Sequence, residues 1–193
     1  MNVSQQRWVL SGGVGSGKSE VRRLLSELGV RTIDADAVGH SVLEPGGAAF
    51  EDVAGRWPEV VVDGRIDRRA LGAIVFGDPT ALRELEETTH PAIFGMIMTD
   101  VEGFQEAVVV EMPVLSHRLE GEWRRIVVDA PVELRVSRAI GRGLSEEEVS
   151  ARMASQPSRS EWLAAADLVI PNRGSIEDLE MAVVRAQRVI SGA

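Results

Sequence analysis

The chain has 193 residues, with 21 basic against 30 acidic side chains and a formal charge of −9. That length suits one compact α/β domain with a small inserted subdomain, and the acidic balance disfavours a general nucleic-acid binder. The lack of cysteine excludes disulfides, thiolate metal sites and a cysteine nucleophile. The lack of a long apolar run or signal core leaves no membrane partner and a cytoplasmic location as expectations.

Arg7 to Leu10 reads as a short strand. Gly12-Gly13-Val14-Gly15-Ser16-Gly17-Lys18-Ser19 follows and fits G-x-x-x-x-G-K-[ST] in full. Lys18 is the only lysine; the other 20 basic residues are arginine. A GC-rich coding sequence would account for the arginine excess. It does not account for the exception, a compact ammonium that fits between closely held phosphates. The glycines let the backbone approach a ligand, and successive N–H groups from Gly13 to Glu20 form an anion nest. Lys18 is expected at the β- and γ-phosphates, with the Ser19 hydroxyl as a Mg²⁺ ligand. Downstream, Val21, Leu24, Leu25 and Leu28 recur at helical spacing until Gly29 stops the helix.

Val30 to Ile33 reads as the second strand, with Asp34-Ala35-Asp36 at its exit into a helix. Ligands of parallel sheets bind at the carboxyl ends of strands. Asp36 is therefore a candidate to take a proton from an attacking hydroxyl or to hold the Mg²⁺ hydration shell. Capping of the next helix by either aspartate is the competing assignment. Residues 37–104 are mostly helical in pattern, with breaks at Pro45-Gly46-Gly47, Asp63-Gly64 and Asp78-Pro79. Helices are expected over 48–55, 68–76, 80–88 and 91–104. Arg65, Arg68 and Arg69 form a basic knot there, suited to an anionic acceptor or to pairing with Asp63 and Asp67.

Ala107 to Val110 and Arg125 to Asp129 read as buried strands, and Pro131 opens a helix at its first position. Arg138 and Arg142 share one helix face. Ser145 to Glu148 is a capping box, and Arg152 and Arg159 lie in the helical hairpin after it. Such a hairpin between two strands resembles the lid of small P-loop kinases, whose arginines close over the γ-phosphate. Surface solubility accounts for any single arginine equally well. Asp167 to Ile170 is a last strand, and a helix from Ser175 to Ile190 is capped by Ser175. Five strands alternating with helices predict a five-stranded parallel sheet, a P-loop kinase core with a helical acceptor-binding insert and a helical lid. The chain divides as one domain: core at about 1–36, 105–135 and 165–193, insert at about 37–104 and lid at about 138–162.

The order of motifs resembles the dephospho-CoA kinase family, from about residue 9 to about residue 189. The family's TGGIGSGKS stands here as Ser11 to Ser19, and its IDAD as Ile33 to Asp36. V-x-x-P-G is matched by Val42 to Gly46, and G-x-I-D-R-x-x-L-x-x-x-V-F by Gly64 to Phe76. LHPxI reads Thr89-His90-Pro91-Ala92-Ile93, and A-D-x-V-I-x-N ends at Asn172.

The resemblance implies transfer from ATP, with Mg²⁺, to the ribose 3′-hydroxyl of dephospho-CoA. It implies Asp36 as the base or orienting group, Arg138 and Arg142 in the lid, and Arg142 with Asn172 beside the adenine. Arg69, Phe76 and His90 would lie in the CoA-binding insert, although a His before Pro at a helix start is more often a structural cap or hydrogen-bond partner than a catalyst. The chain would act as a monomer or weak homo-oligomer.

Three departures stand out. Glu20 replaces the usual Thr. The third strand ends in Glu111-Met112-Pro113-Val114-Leu115-Ser116-His117 rather than D-x-P-L-L-F-E. Arg142 runs into Gly143 without the usual Asp. They leave two other functions open: a kinase for a nucleotide or sugar, and a nucleotide-binding regulatory protein without catalysis.

Overall fold

The computed structural model describes residues 6–112 and 122–192. The chain forms two compact units, one holding residues up to Asp34 and from Gly103 onward, the other Ala35–Glu102.

The first unit is built on a parallel sheet of β1 (Arg7–Ser11), β2 (Arg31–Asp34), β5 (Val108–Glu111), β6 (Arg124–Asp129) and β7 (Leu168–Pro171). Their spatial order is β2-β5-β1-β6-β7, so β1 lies at the centre between β5 and β6. The inner strands are near-continuous apolar runs, as expected for strands covered on both faces. Helices α1 (Lys18–Glu27) and α9 (Ile176–Ile190) pack on this sheet. Val21, Leu24 and Leu25 of α1 and Leu179, Val183, Ala186 and Ile190 of α9 join Trp8, Leu10, Val109 and Ile126 in one core. Leu25 is fully buried, so truncating it to alanine would cost about 2–5 kcal/mol. That packing fixes the N-terminus of α1 over the end of β1.

Between β6 and β7 lie α6 (Val132–Gly141), α7 (Glu146–Ala154) and α8 (Arg159–Ala164). Ser145 and Glu148 form the expected capping box of α7, and Ser158 and Glu161 form another on α8. Pro131 stands one place earlier than expected, as the residue capping α6.

The second unit holds α2 (Ala35–Ser41), α3 (Phe50–Arg56), a 3₁₀ turn at Pro58–Val60, β3 (Val61–Val62), β4 (Arg65–Ile66), α4 (Arg68–Val75) and α5 (Pro79–Glu102). Helix α5 is its spine, contacted by α2, α3 and α4. The core collects Val42, Val53, Trp57, Val60, Leu71 and Val75, with Ala92 and Ile93 of α5 partly buried against it.

Two further local features differ from the pattern of the sequence. The expected helices at 80–88 and 91–104 are one continuous helix of 24 residues with Pro91 inside. Proline removes one N–H from the ladder, and the residue before it normally leaves the helical region. Packing of α5 against three helices outweighs that local cost. Just ahead of the proline, the Thr88 and Thr89 hydroxyls donate to the carbonyls of Glu84 and Leu85 at 2.8 and 2.7 Å. Asp63-Gly64, expected only as a break, is the tight turn of the β3–β4 hairpin. Asp63 and Gly64 have φ of 49° and 73°, and positive φ at both central residues matches the right-handed twist of paired strands.

Candidate active site

Four of the five sheet strands finish on a polar side chain: Ser11, Asp34, Glu111 and Asp129. An apolar strand that ends in a carboxylate brings that charge to the crevice edge. The glycine-rich loop leaves the central strand at the same edge.

The loop is held tightly from outside. Gly17 caps α1 at φ 97°, a conformation that favours glycine. A Cβ on Gly13 would overlap the Arg135 guanidinium, one on Gly15 the Arg135 carbonyl, and one on Gly17 the Asn172 amide. The loop therefore needs glycine for room as well as for ligand approach. Arg135 Nε donates to the Val14 carbonyl at 3.0 Å, and the Val14 N–H donates to Gln156 Oε1 at 2.9 Å. Asn172 Nδ2 donates to the Ser16 carbonyl at 2.8 Å. Lys18 Nζ donates to the Gly12 carbonyl at 2.9 Å, so the ammonium folds back over the loop.

On α1, the Ser19 hydroxyl donates to Glu111 Oε1 at 3.0 Å. Arg22 bridges Glu111 and Asp34, with Nε 2.6 Å from one carboxylate and a terminal nitrogen 2.9 Å from the other. Glu111, one methylene longer than the aspartate of the family pattern, still reaches Ser19. A hydroxyl and a carboxylate side by side are hard oxygen ligands of the kind Mg²⁺ takes when phosphates and waters complete its shell. The residues present fit that ion.

Gly17, Glu20, Arg138, Arg142 and Asn172, all singled out in the sequence, line one cavity of about 420 Å³ with Gly174, Ser175 and Ile176. That volume falls within the range of small-molecule sites. Arg138 donates to Asn172 Oδ1 at 3.1 Å, so the amide ties the lid helix α6 to the loop. Asn172 is 95% buried, its side chain occupied at both ends. Glu20 is paired with Arg23, whose hydrogen bond holds the carboxyl below the usual range, with Arg142 adding to the effect.

Two features of this edge were not read from the sequence. Arg135 is the first, a buried arginine against the loop. The second is Asp129, 4% exposed, which takes Arg159 through both oxygens at 2.7 and 2.8 Å and Arg173 at 2.6 Å. The Arg159 hydrogen bonds, then Arg173, hold its carboxyl down at about 2 against the opposing effect of burial. Arg159 thus binds the end of β6 directly. A charged residue closing an apolar strand was the available signal for Asp129; Arg135 had none.

The remaining candidates belong to the helical unit. Asp36 is the second residue of α2, exposed, two places after the strand-ending Asp34. Arg69 is exposed near the start of α4, where Asp67 caps the helix by accepting from the N–H groups of Arg69 and Ala70. Arg65 pairs with Glu44 at 2.9 Å rather than with a neighbouring aspartate. Phe76, at the end of α4, is 83% exposed. His90 lies inside α5, not at a helix start, with its ring centroid 5.4 Å from that of Phe94. Ser116 and His117 lie outside the described residues.

Comparison with known proteins bears on the identity of the acceptor. A dephospho-CoA kinase family model matches residues 8–178. A dephospho-CoA kinase of Aromatoleum aromaticum is 40% identical over 91% of this chain and 89% of its own length. One from Thermus thermophilus is 38% identical over 95% and 91%. Among solved structures, TT1252 from Thermus thermophilus superposes with a TM-score of 0.82 at 36% identity, covering 98% of this chain and all of that one. Dephospho-CoA kinase from Campylobacter jejuni gives 0.70 at 28%, over 98% and 99%. Shikimate kinase from Acinetobacter baumannii, at 15% identity and 0.54, shares the fold alone. With the family's model spanning the sheet, the insert and the lid, and relatives at this identity over nine-tenths of the sequence, the chain belongs to the dephospho-CoA kinase family.

Proposed function

We propose that the chain transfers the γ-phosphoryl group of ATP to the ribose 3′-hydroxyl of dephospho-CoA, giving CoA and ADP. Family membership supports the acceptor. The observation that carries the site is the cavity at the N-terminus of α1, where Gly17, Glu20, Arg138, Arg142 and Asn172 meet.

In this reading the loop N–H groups and Lys18 hold the β- and γ-phosphates, aided by the positive end of α1. The nucleoside occupies the cavity, with Arg138 and Arg142 on its lid side. Ser19 and Glu111 hold Mg²⁺, which supplies charge neutralisation on the phosphates when bound. Arg22 holds Glu111 aimed at Ser19. The 3′-oxygen attacks the γ-phosphorus in line, the bond from that phosphorus to the β,γ-bridging oxygen breaks, and Asp36 accepts the hydroxyl proton. Arg69, Phe76 and His90 belong to the surface that receives dephospho-CoA. Catalysis is mainly positioning and electrostatic stabilisation, without a phosphoenzyme. The two units work as one kinase domain, cytoplasmic and monomeric or weakly self-associating; the acidic composition supports the exclusion of nucleic acid. No helix among the described residues is long and apolar enough to cross a membrane.

The test is direct. Purified protein is mixed with ATP, Mg²⁺ and dephospho-CoA, and ADP and CoA are followed together. CoA formed only when both substrates are present is the expected outcome. ADP without CoA would redirect the search to another acceptor.

A further inference from the structure

Arg135 is 6% exposed, on the face of α6 turned toward the phosphate loop. Its Nε donates to the Val14 carbonyl at 3.0 Å, and its guanidinium fills the space a Cβ on Gly13 would need. Among the described residues its terminal nitrogens make no hydrogen bond. The nearby carboxylate, Asp129, is already bound by Arg159 and Arg173. Burial pushes the Arg135 guanidinium below its usual range, with the Asp129 charge opposing that shift. A buried cation without its own hydrogen-bonded carboxylate is costly unless another negative charge comes near.

We propose that Arg135 is a positioning residue of the nucleotide site, a second fixed positive charge behind the phosphate loop whose burial is compensated by the bound polyphosphate. It acts through the loop. It holds Val14 by the carbonyl and places its charge against Gly13, one peptide away from the groups that face the ligand. Coulomb attraction through protein that partly excludes water is stronger than in bulk water. Lys18 touches the phosphates by direct contact; Arg135 raises the potential of the whole loop and fixes its shape. The inference rests on the kinase reading above, since it needs a polyphosphate at the loop.

The test compares Arg135→Gln, which keeps a donor for Val14 but removes the charge, with Arg135→Lys, which keeps the charge. ADP affinity is measured by titration calorimetry for both and for wild type, with thermal melts in the absence of nucleotide. R135Q is expected to bind ADP about tenfold more weakly, the size of losing one favourable interaction of a charged group, while R135K stays within about threefold. The nucleotide-free melting temperature of R135Q should not fall below wild type, because a costly buried charge has gone. In turnover, KM for ATP should rise more than kcat falls.

R135Q binding ADP within about twofold of wild type would overturn the inference. So would R135K weakened as far as R135Q, since contact rather than charge would then be responsible. Should R135Q fail to fold, R135K decides, and a tenfold loss in it counts against the proposal. Wild type failing to bind ADP would overturn the kinase reading and this inference with it, so the two failures are distinguishable.

Discussion

In the sheet unit, the residues around the phosphate loop are fixed by hydrogen bonds reaching across 121, 142 and 156 residues of sequence. In the helical unit, Asp36, Arg69 and Phe76 are exposed on or at the ends of helices. In the proposed function the contrast would follow from the two ligands. A triphosphate is small, highly charged and the same for every P-loop kinase, so a rigid cradle of buried donors serves it. The proposed acceptor would instead be met by exposed side chains on helices, which tolerate change more readily than a buried cradle does.

Four experiments would break or sharpen that contrast. The largest effect is expected from Lys18→Ala, with turnover down about 10²–10³-fold and circular dichroism melts unchanged, as for removal of a donor to a developing charge. Asp36→Asn should follow, at about 10²-fold in kcat with little change in KM for ATP, the scale of lost general-base assistance. An Asp36→Asn enzyme turning over near the wild-type rate would remove Asp36 from the reaction.

Acid comes next. Asp129 has a carboxyl pKa of about 2 in the folded chain against a usual 3.8. The folded state thus holds the ionised form more tightly than the unfolded state does. Its contribution, about 2 kcal/mol, is complete above the usual value and is lost as pH falls from about 4 toward 2. Denaturant melts across that window should slope in wild type and be flatter in Asp129→Asn. The smallest effect is Phe76→Ala. KM for dephospho-CoA should rise about two- to tenfold, the worth of partly covering one aromatic side chain, while stability stays within about 0.5 kcal/mol. A large stability loss there would mean the ring supports the helical unit instead of the ligand.

Much of this architecture is legible in the sequence because its signals are local. All five sheet strands fall within a residue or so of their apolar runs, and the Ser145 and Ser175 caps stand where their spacing puts them. What escapes is what tertiary contact decides. Pro91 signals a helix end, yet three packed helices carry α5 through it. Asp63-Gly64 reads in the sequence only as a break, because the two strands it joins have two residues each, too few to show an alternating pattern. Arg135 is one of 20 arginines with no local mark, and only the approach of α6 to the loop singles it out. Asn172 stood out in the sequence as a candidate, but not as the amide joining Ser16 to Arg138.

The overlap that any Cβ on Gly13, Gly15 or Gly17 would meet has a consequence for protein engineering. Both obstructing residues, Arg135 and Asn172, also brace the loop by hydrogen bonds. A graft of Gly12 to Ser19 alone onto another sheet would carry the glycines without the neighbours that make them necessary. The transplanted segment would be free to sample many shapes, and glycine loses the most freedom on being ordered. Transferring this loop with its affinity intact means moving Arg135, Gln156 and Asn172 with it.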